Sequence, residues 1–200
     1  MLTADQLHAL SPHCDSASWA PALSAAAAEW EINTPQRMAH FVGQCCEESS
    51  GLTRLTENLS YSAERLMAVW PSRFQTLASA EPFAHNPEAL AVRVYSGRLG
   101  NITSDDAALF IGRGCIMITG RANYRTYAAK LGLDILKRPE LAAEPVPAAR
   151  IAACYWADHG LNALADTDDI EAITRAINGG EVGLEARKAW VAKAKTVLGA

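Results

Sequence analysis

Apolar residues recur at helical spacing almost from one end of the chain to the other, in alanine-rich segments at 20–30, 36–48, 62–70, 121–131, 147–158 and 184–198. The alternation of apolar and polar residues that a half-buried strand requires is scarce. A chain so patterned must bury helix faces against other helices, and the predicted class is mainly α. Two hundred residues, half of them hydrophobic, suffice for one sizeable core. A single domain spanning 1–200 is therefore the expectation.

Local signals punctuate these segments. Thr34-Pro35 fits an N-cap followed by proline at the first helical position, and Ser62-Ala63-Glu64-Arg65 opens a helix that Pro71 closes. Residues 71–110 are richer in Pro, Gly, Asn and Asp than their surroundings, which predicts loops or a small lobe beside the helical core. No repeat, low-complexity tract or linker marks a second domain.

Composition excludes several classes. The net charge is −4, with acids and bases interspersed and no Lys/Arg block that could track a phosphate backbone, which argues against a nucleic-acid partner. The start, MLTADQLHAL, lacks a basic region followed by an apolar one, and no apolar run approaches the roughly 18 residues of a membrane span. Synthesis in the cytoplasm without signal peptide or stable membrane association is expected. The five cysteines, Cys14, Cys45, Cys46, Cys115 and Cys154, are odd in number and form no C-x-x-C pair, which argues against a disulfide framework and a zinc site. They read as small, reduced, buried hydrophobes. Five scattered histidines form no H-E-x-x-H cluster, so no metal and no organic cofactor is expected. Cys154 and His159, five residues apart on one predicted helix, face each other poorly for a thiol–imidazole pair.

The chemistry concentrates in CCEESSGLTRLTENLSY, residues 45–61. Met38, Phe41, Cys45 and Glu48 step by three, four and three, so Glu48 continues an apolar stripe, whereas His40, Gln44 and Glu47 form a neighbouring polar line. Glu48 is then the half-buried acid and Glu47 the solvated one. Burial disfavours the charged form of a carboxyl, which suits a general acid. The plainer alternative is a glutamate that ends a helix or pairs with Arg54. Glu57 lies nine residues on, about two and a half turns along a continuous helix, which would put the two carboxylates on opposite faces. Ser49-Ser50-Gly51 supplies a stop, because glycine favours the left-handed position past a helix C-terminus, and the chain can then fold back to flank a cleft with both acids. One desolvated and one solvated carboxylate are the minimum equipment for hydrolysing a glycosidic bond; a separation of roughly 6.5–9.5 Å leaves room for water and predicts inversion.

Longer motifs extend this reading. Gln44-x-x-x-Glu48-Ser49-x-Gly51 followed by Leu55-Thr56-Glu57-Asn58-Leu59-x-Tyr61-Ser62-Ala63 resembles the catalytic segment of glycoside hydrolase family 19, the plant and bacterial chitinases and phage endolysins. Tyr95-Ser96-Gly97-Arg98-Leu99-Gly100-Asn101 is similar to the family's Y-x-x-R-x-G-N segment. The run from Phe110 to Tyr124, FIGRGCIMITGRANY, resembles its G-R-G-x-I-Q-[LI]-[ST]-G-R-x-N-Y signature, and ITRAINGGEVGLEAR its C-terminal T-x-x-I-N-G-G-x-x-G-x-x-x-R.

The resemblance implies a lysozyme-like, two-lobed helical fold with a catalytic cleft, residues 71–110 forming part of the smaller lobe. It implies Glu48 as general acid and Glu57 as general base in a single-displacement, inverting reaction on a β-1,4-linked N-acetylated sugar chain. Thr119 falls where a hydroxyl helps hold the attacking water, and Asn123 at a substrate-binding position; turn and helix capping is the structural alternative for both. Asn178 and Arg187 match residues that line the cleft near the acids. An arginine beside a carboxylate keeps it ionised, which suits the base better than the acid; a surface ion pair is the commoner reason for a lone arginine. The glycines of Gly112-Arg113-Gly114 and Gly179-Gly180 are assigned to backbone shape, and Trp70, Trp156, Trp190, Tyr124, Tyr127 and Tyr155 to the core.

Two positions depart from the family pattern. Glu47 stands where many bacterial members have histidine, and its charge would raise the pKa of Glu48 if the two are close. Met117 replaces a common glutamine and removes an amide from the cleft.

The reading placed first is an endolysin-like enzyme, a monomer that cuts peptidoglycan glycan strands after release through a holin or a dedicated export system. A chitinase follows, because bacterial chitinases usually bring a secretion signal and often a carbohydrate-binding module. A non-catalytic glycan-binding protein of the same fold ranks last, because both acids are present.

Overall fold

Most helix starts in this chain are set by short polar side chains that satisfy the free N–H groups of a first turn. The computed structural model describes all 200 residues. It contains α1 (Ala4–Leu10), α2 (Ser16–Glu29), α3 (Pro35–Glu48), α4 (Ala63–Val69), α5 (Leu77–Ala80), α6 (Pro87–Tyr95), α7 (Ser104–Leu109), α8 (Arg121–Leu131), α9 (Pro145–Asp158), α10 (Leu161–Asp166), α11 (Ile170–Asn178) and α12 (Leu184–Leu198), and no sheet. The class is mainly α. Thr34 caps α3 by accepting the Arg37 N–H at 3.1 Å, with Pro35 at the first helical position. Ser62 caps α4, which ends at Val69, before Pro71.

The region 71–110 differs from a loop reading, since α5, α6 and α7 lie in it. Thr76 and Thr103 form capping boxes, and Asn86 caps α6 with Pro87 in its first turn. The Pro, Asn and Asp content that suggested loops is helix-start chemistry. These helices, of 4, 9 and 6 residues, are too short for apolar periodicity to stand out.

The chain divides into two compact units, one of Met1–Leu55, Arg113–Met117 and Glu140–Ala200, the other of Thr56–Gly112 and Ile118–Pro139. In the first, α3 packs against α12, α10 and α9, and every residue from Met38 to Cys46 is buried. Phe41 meets the edge of Trp156 at 5.6 Å between ring centroids. At Gly43 a Cβ would lie 2.7 Å from Val191 Cγ2 and 3.1 Å from Val191 Cα, so α3 and α12 approach as closely as a glycine permits. His40 and Gln44, on a line the sequence reads as polar, are 0% and 1% exposed. That line faces packed helices, where His40 pairs with Asp168 and Gln44 Oε1 accepts from Arg187.

His40 Nε2 lies 2.6 Å from Asp168 Oδ1, and Lys195 Nζ donates to both oxygens of Asp168 at 2.6 Å. This cluster ties α3 and α12 to the turn between α10 and α11. Burial pushes the His40 imidazole below its ordinary value although Asp168 draws it up. Lys195, with His40, holds the Asp168 carboxyl below its ordinary value.

In the second unit Leu59, Leu66, Phe74, Leu90 and Val94 form the apolar centre. Tyr61 and Trp70 meet edge to face at 5.5 Å. Tyr124 of α8 is fully buried, packs on Phe110 at 5.1 Å and donates its hydroxyl to the Ile111 carbonyl at 2.8 Å.

Two predictions follow from the first unit. Gly43→Ala will force α12 outward and cost about 1–3 kcal/mol of unfolding free energy, measured by urea titration; an unchanged midpoint would show that the contact yields freely. Both His40 and Asp168 bind protons less readily when folded, so acid favours unfolding at each. Stability will be flat from pH 7 to 8, decline as pH falls below about 6.5 and again below about 4. Asp168→Asn will make the lower limb shallower.

Candidate active site

Glu48 is the last residue of α3. The Ser49 hydroxyl donates back to the Cys45 carbonyl at 2.5 Å and accepts the Leu52 N–H at 2.9 Å. Ser50, Gly51 and Leu52 then take positive φ values of 53°, 71° and 61°, which reverses the chain where the sequence predicts a stop. A Cβ on Gly51 would fall 2.5 Å from Ser11 Oγ, whose hydroxyl donates to the Gly51 carbonyl at 2.7 Å. The reversal is therefore locked from α1's side as well.

The Glu48 side chain is 19% exposed, and Arg187 donates through Nη2 to its Oε1. Arg187 Nη1 donates to Gln44 Oε1 at 2.6 Å, so one buried guanidinium bridges two residues a turn apart on α3. Neither Arg54 nor a surface partner is involved. The sequence favours an arginine beside the base; the structure pairs it with the presumptive acid. The cause is packing, because Val191 abuts Gly43 and Arg187, one turn earlier on α12, falls level with Gln44 and Glu48. Burial and the charge of Glu48 both raise the Tyr155 phenol, whose hydroxyl donates to the Ala176 carbonyl at 2.7 Å.

Glu47 Oε1 lies 3.2 Å from the Cβ position of Gly183, the residue preceding α12, so this extra acid sits at the positive end of that helix. Asn178 is exposed and donates through Nδ2 to the Val182 carbonyl at 3.2 Å, bracing the turn before α12 without bonding Glu48 or Arg187.

In the second unit Glu57 is clamped to Gly112 twice, its N–H donating to the Gly112 carbonyl at 2.9 Å and its Oε1 accepting the Gly112 N–H at 2.5 Å. Its Oε2 accepts the Tyr95 hydroxyl at 2.8 Å. Each carboxylate oxygen keeps a further lone pair. Tyr95 is itself placed by Asn101, whose Nδ2 donates to the Tyr95 carbonyl at 3.1 Å and whose Oδ1 accepts the Arg121 N–H at 2.9 Å. A Cβ on Gly112 would lie 3.2 Å from Thr119 Oγ1 and 3.3 Å from Glu57 Cδ, so the hydroxyl and the carboxylate flank one bare stretch of backbone. Asn123, one turn into α8, donates through Nδ2 to the Thr119 carbonyl at 2.9 Å.

Two groupings therefore emerge, Glu48 with Arg187 in the first unit and Glu57 with Thr119 and Asn123 in the second. Tyr95 and Gln44 join them without having been singled out as site residues. Both stand at polar positions of the motifs, and that was their only signal. No His, Cys, Asp and Glu cluster suits a metal ion, and all five cysteines are free thiols. His159 Nδ1 faces the Tyr155 carbonyl at 2.8 Å rather than the Cys154 thiol.

Burial and the neighbouring Glu57 carboxylate push the Tyr95 phenol well above the ordinary tyrosine value. Ultraviolet titration at alkaline pH will show a tyrosine that ionises late, and Glu57→Gln will bring it partly back, because burial remains. An identical titration in the variant would contradict the Tyr95–Glu57 hydrogen bond.

No family model matches the chain. A Haemophilus influenzae protein described as a glycosyl hydrolase family 19 domain-containing protein is 36% identical over 158 residues, 78% of this chain and 76% of the relative. Chitinase C from Streptomyces griseus HUT6037 superposes with a TM-score of 0.69 at 18% identity, over 99% of this chain and 76% of that one. A bacterial family 19 chitinase does so with a TM-score of 0.64 at 19% identity, over 99% and 95%. A class IV family 19 chitinase from Zea mays gives 0.56 at 17% identity, over 88% and 78%. The solved structures share the helical fold, and the Haemophilus relative fixes the kinship: this chain belongs to glycoside hydrolase family 19.

Proposed function

We propose that this family 19 domain is an inverting glycosidase acting on β-1,4-linked N-acetylated glycan, with peptidoglycan strands as its substrate. The observation that carries the proposal is that two carboxylates are held in contrasting ways, Glu48 by a buried guanidinium and Glu57 by two uncharged donors. Glu48 gives its proton to the glycosidic oxygen as the bond to the anomeric carbon breaks. Glu57 takes a proton from the water that attacks that carbon from the opposite face, through a lone pair not used by Tyr95 or Gly112. As Glu48 becomes a carboxylate, Arg187 already faces it, so the charge that develops in the transition state is stabilised without reorganisation.

Thr119 is the water-orienting hydroxyl in this scheme, since it shares the bare backbone of Gly112 with Glu57. Asn123 and Asn178 each spend their amide N–H on a backbone carbonyl, which leaves each Oδ1 to accept from a sugar hydroxyl or acetamide N–H. The motif resemblance to phage endolysins supports peptidoglycan, with the monomer acting on the wall after release through a holin or by export. Chitin is the second reading, favoured because solved structures that share this fold are chitinases.

Lysis of outer-membrane-permeabilised Gram-negative cells tests the proposal. Wild type will clear the suspension, and Glu48→Gln or Glu57→Gln will each lower the rate by at least about a hundredfold. Mass analysis of released muropeptides will show new reducing sugar ends. Cleavage of chitin oligomers with sacculi left intact would replace the substrate, and full activity in either variant would remove that acid from the mechanism.

A further inference from the structure

We propose that the second unit carries, against Glu57, a pocket for the alkylammonium side chain of a peptidoglycan stem peptide. This rests on the glycosidase reading for the polymer from which such a stem would hang. The pocket, of about 500 Å³, lies within the second unit, and Glu57 forms part of its wall. Leu59 and Ala91, both buried, and Ile111, Ala108 and Leu109 make the rest largely apolar.

The polar groups of the lining side chains are all carboxylates. Exposed Glu88 and Asp105 join Glu57, and no Lys, Arg or His lines the pocket. Each of the two exposed acids stands in the first turn of a helix, α6 or α7, where the helix field alone would favour an acid. The capping itself is done by others. Asn86 Oδ1 accepts the Ala89 N–H, and Thr103 with Asp106 closes the start of α7. Asp106 is in turn paired with Arg121 at 2.8 Å. The carboxylates of Glu88 and Asp105 make no hydrogen bond or ion pair, so both are available to a ligand.

The shape and chemistry select the occupant. A sugar ring presents hydroxyls and an acetamide that need donors as well as acceptors, and these side chains offer only acceptors on apolar walls. A chain of methylenes ending in an ammonium fits both features, the methylenes against Leu59, Ala91 and Leu109 and the cation between Glu88 and Asp105. A lysine stem carries such a group, whereas a diaminopimelate stem sets a carboxylate beside its distal ammonium and chitin has no alkylammonium at all. Because Glu57 forms one wall, an amine tethered to a sugar near the cut bond is within reach, and the pocket distinguishes the two polymers.

The test uses a muramyl tripeptide with lysine at its third position, the same compound acetylated on the lysine amine, and an N-acetylglucosamine oligomer. Methyl NMR of the whole protein will show the tripeptide shifting Ala91, Ala108 and Leu109, with at least about tenfold weaker binding after acetylation. Glu88→Gln/Asp105→Asn will bring the two affinities within about twofold of each other, with the methyl spectrum of the free protein showing that the unit is folded. Equal binding of the acetylated peptide, shifts confined to other methyls, or stronger binding of the N-acetylglucosamine oligomer would each overturn the pocket. Turnover of intact and amidase-stripped glycan strands separates this from the glycosidase reading. Cleavage of both at equal kcat/KM sinks the pocket alone, whereas amine-dependent shifts with no cleavage of either keep the pocket and sink the enzyme.

Discussion

The buried guanidinium of Arg187 is the constraint on which the first unit turns. A full charge 3% exposed is tolerated only where oxygens meet it in good geometry, and here Gln44 and Glu48 provide them from one face of α3. That demand explains why Gln44 is polar on a buried helix face, and why α12 must come close enough for Gly43 to be bare against Val191. Removing one partner of such a pair typically costs about 3–5 kcal/mol. In the proposed mechanism, the same contact that organises α3 and α12 also stands ready for the charge that Glu48 would acquire on giving up a proton.

Glu57 is placed by a different device. Its backbone and side chain both engage Gly112, and Tyr95 closes the other oxygen. Tyr95 is fixed in turn through Asn101, which links the end of α6 to the start of α8. Residues scattered over three motifs thus converge on one carboxylate by hydrogen bonds to backbone groups. A side chain held at both oxygens, on a backbone itself bonded to Gly112, has little freedom left to lose when a ligand is bound.

The long helices were legible because each carries several turns of periodicity, to which Thr34-Pro35 adds a marked start for α3. The helix stop at Ser50–Leu52 was legible because glycine there has a physical reason. Three features were not. The short helices between 71 and 110 were hidden because their Pro, Asn and Thr residues serve loops and N-caps equally. The burial of His40 and Gln44 was hidden because polar residues on a helix normally mark the wet face, and only tertiary partners reverse that. The pairing of Arg187 with Glu48 rather than with the base depends on the register of α12 against α3, which no single segment encodes. Tyr95 was visible as a motif position without a role, since its partner is 38 residues away in sequence.

In the proposed single displacement, Glu57 activates water and Glu48 protonates the leaving oxygen. Proton NMR of the anomeric region during the first minutes of hydrolysis measures this directly. New reducing ends from a β-linked glycan will appear first as the α-anomer, with the β-anomer growing later by mutarotation. The β-anomer appearing first would show retention and contradict the assignment of Glu57 as a base acting on water.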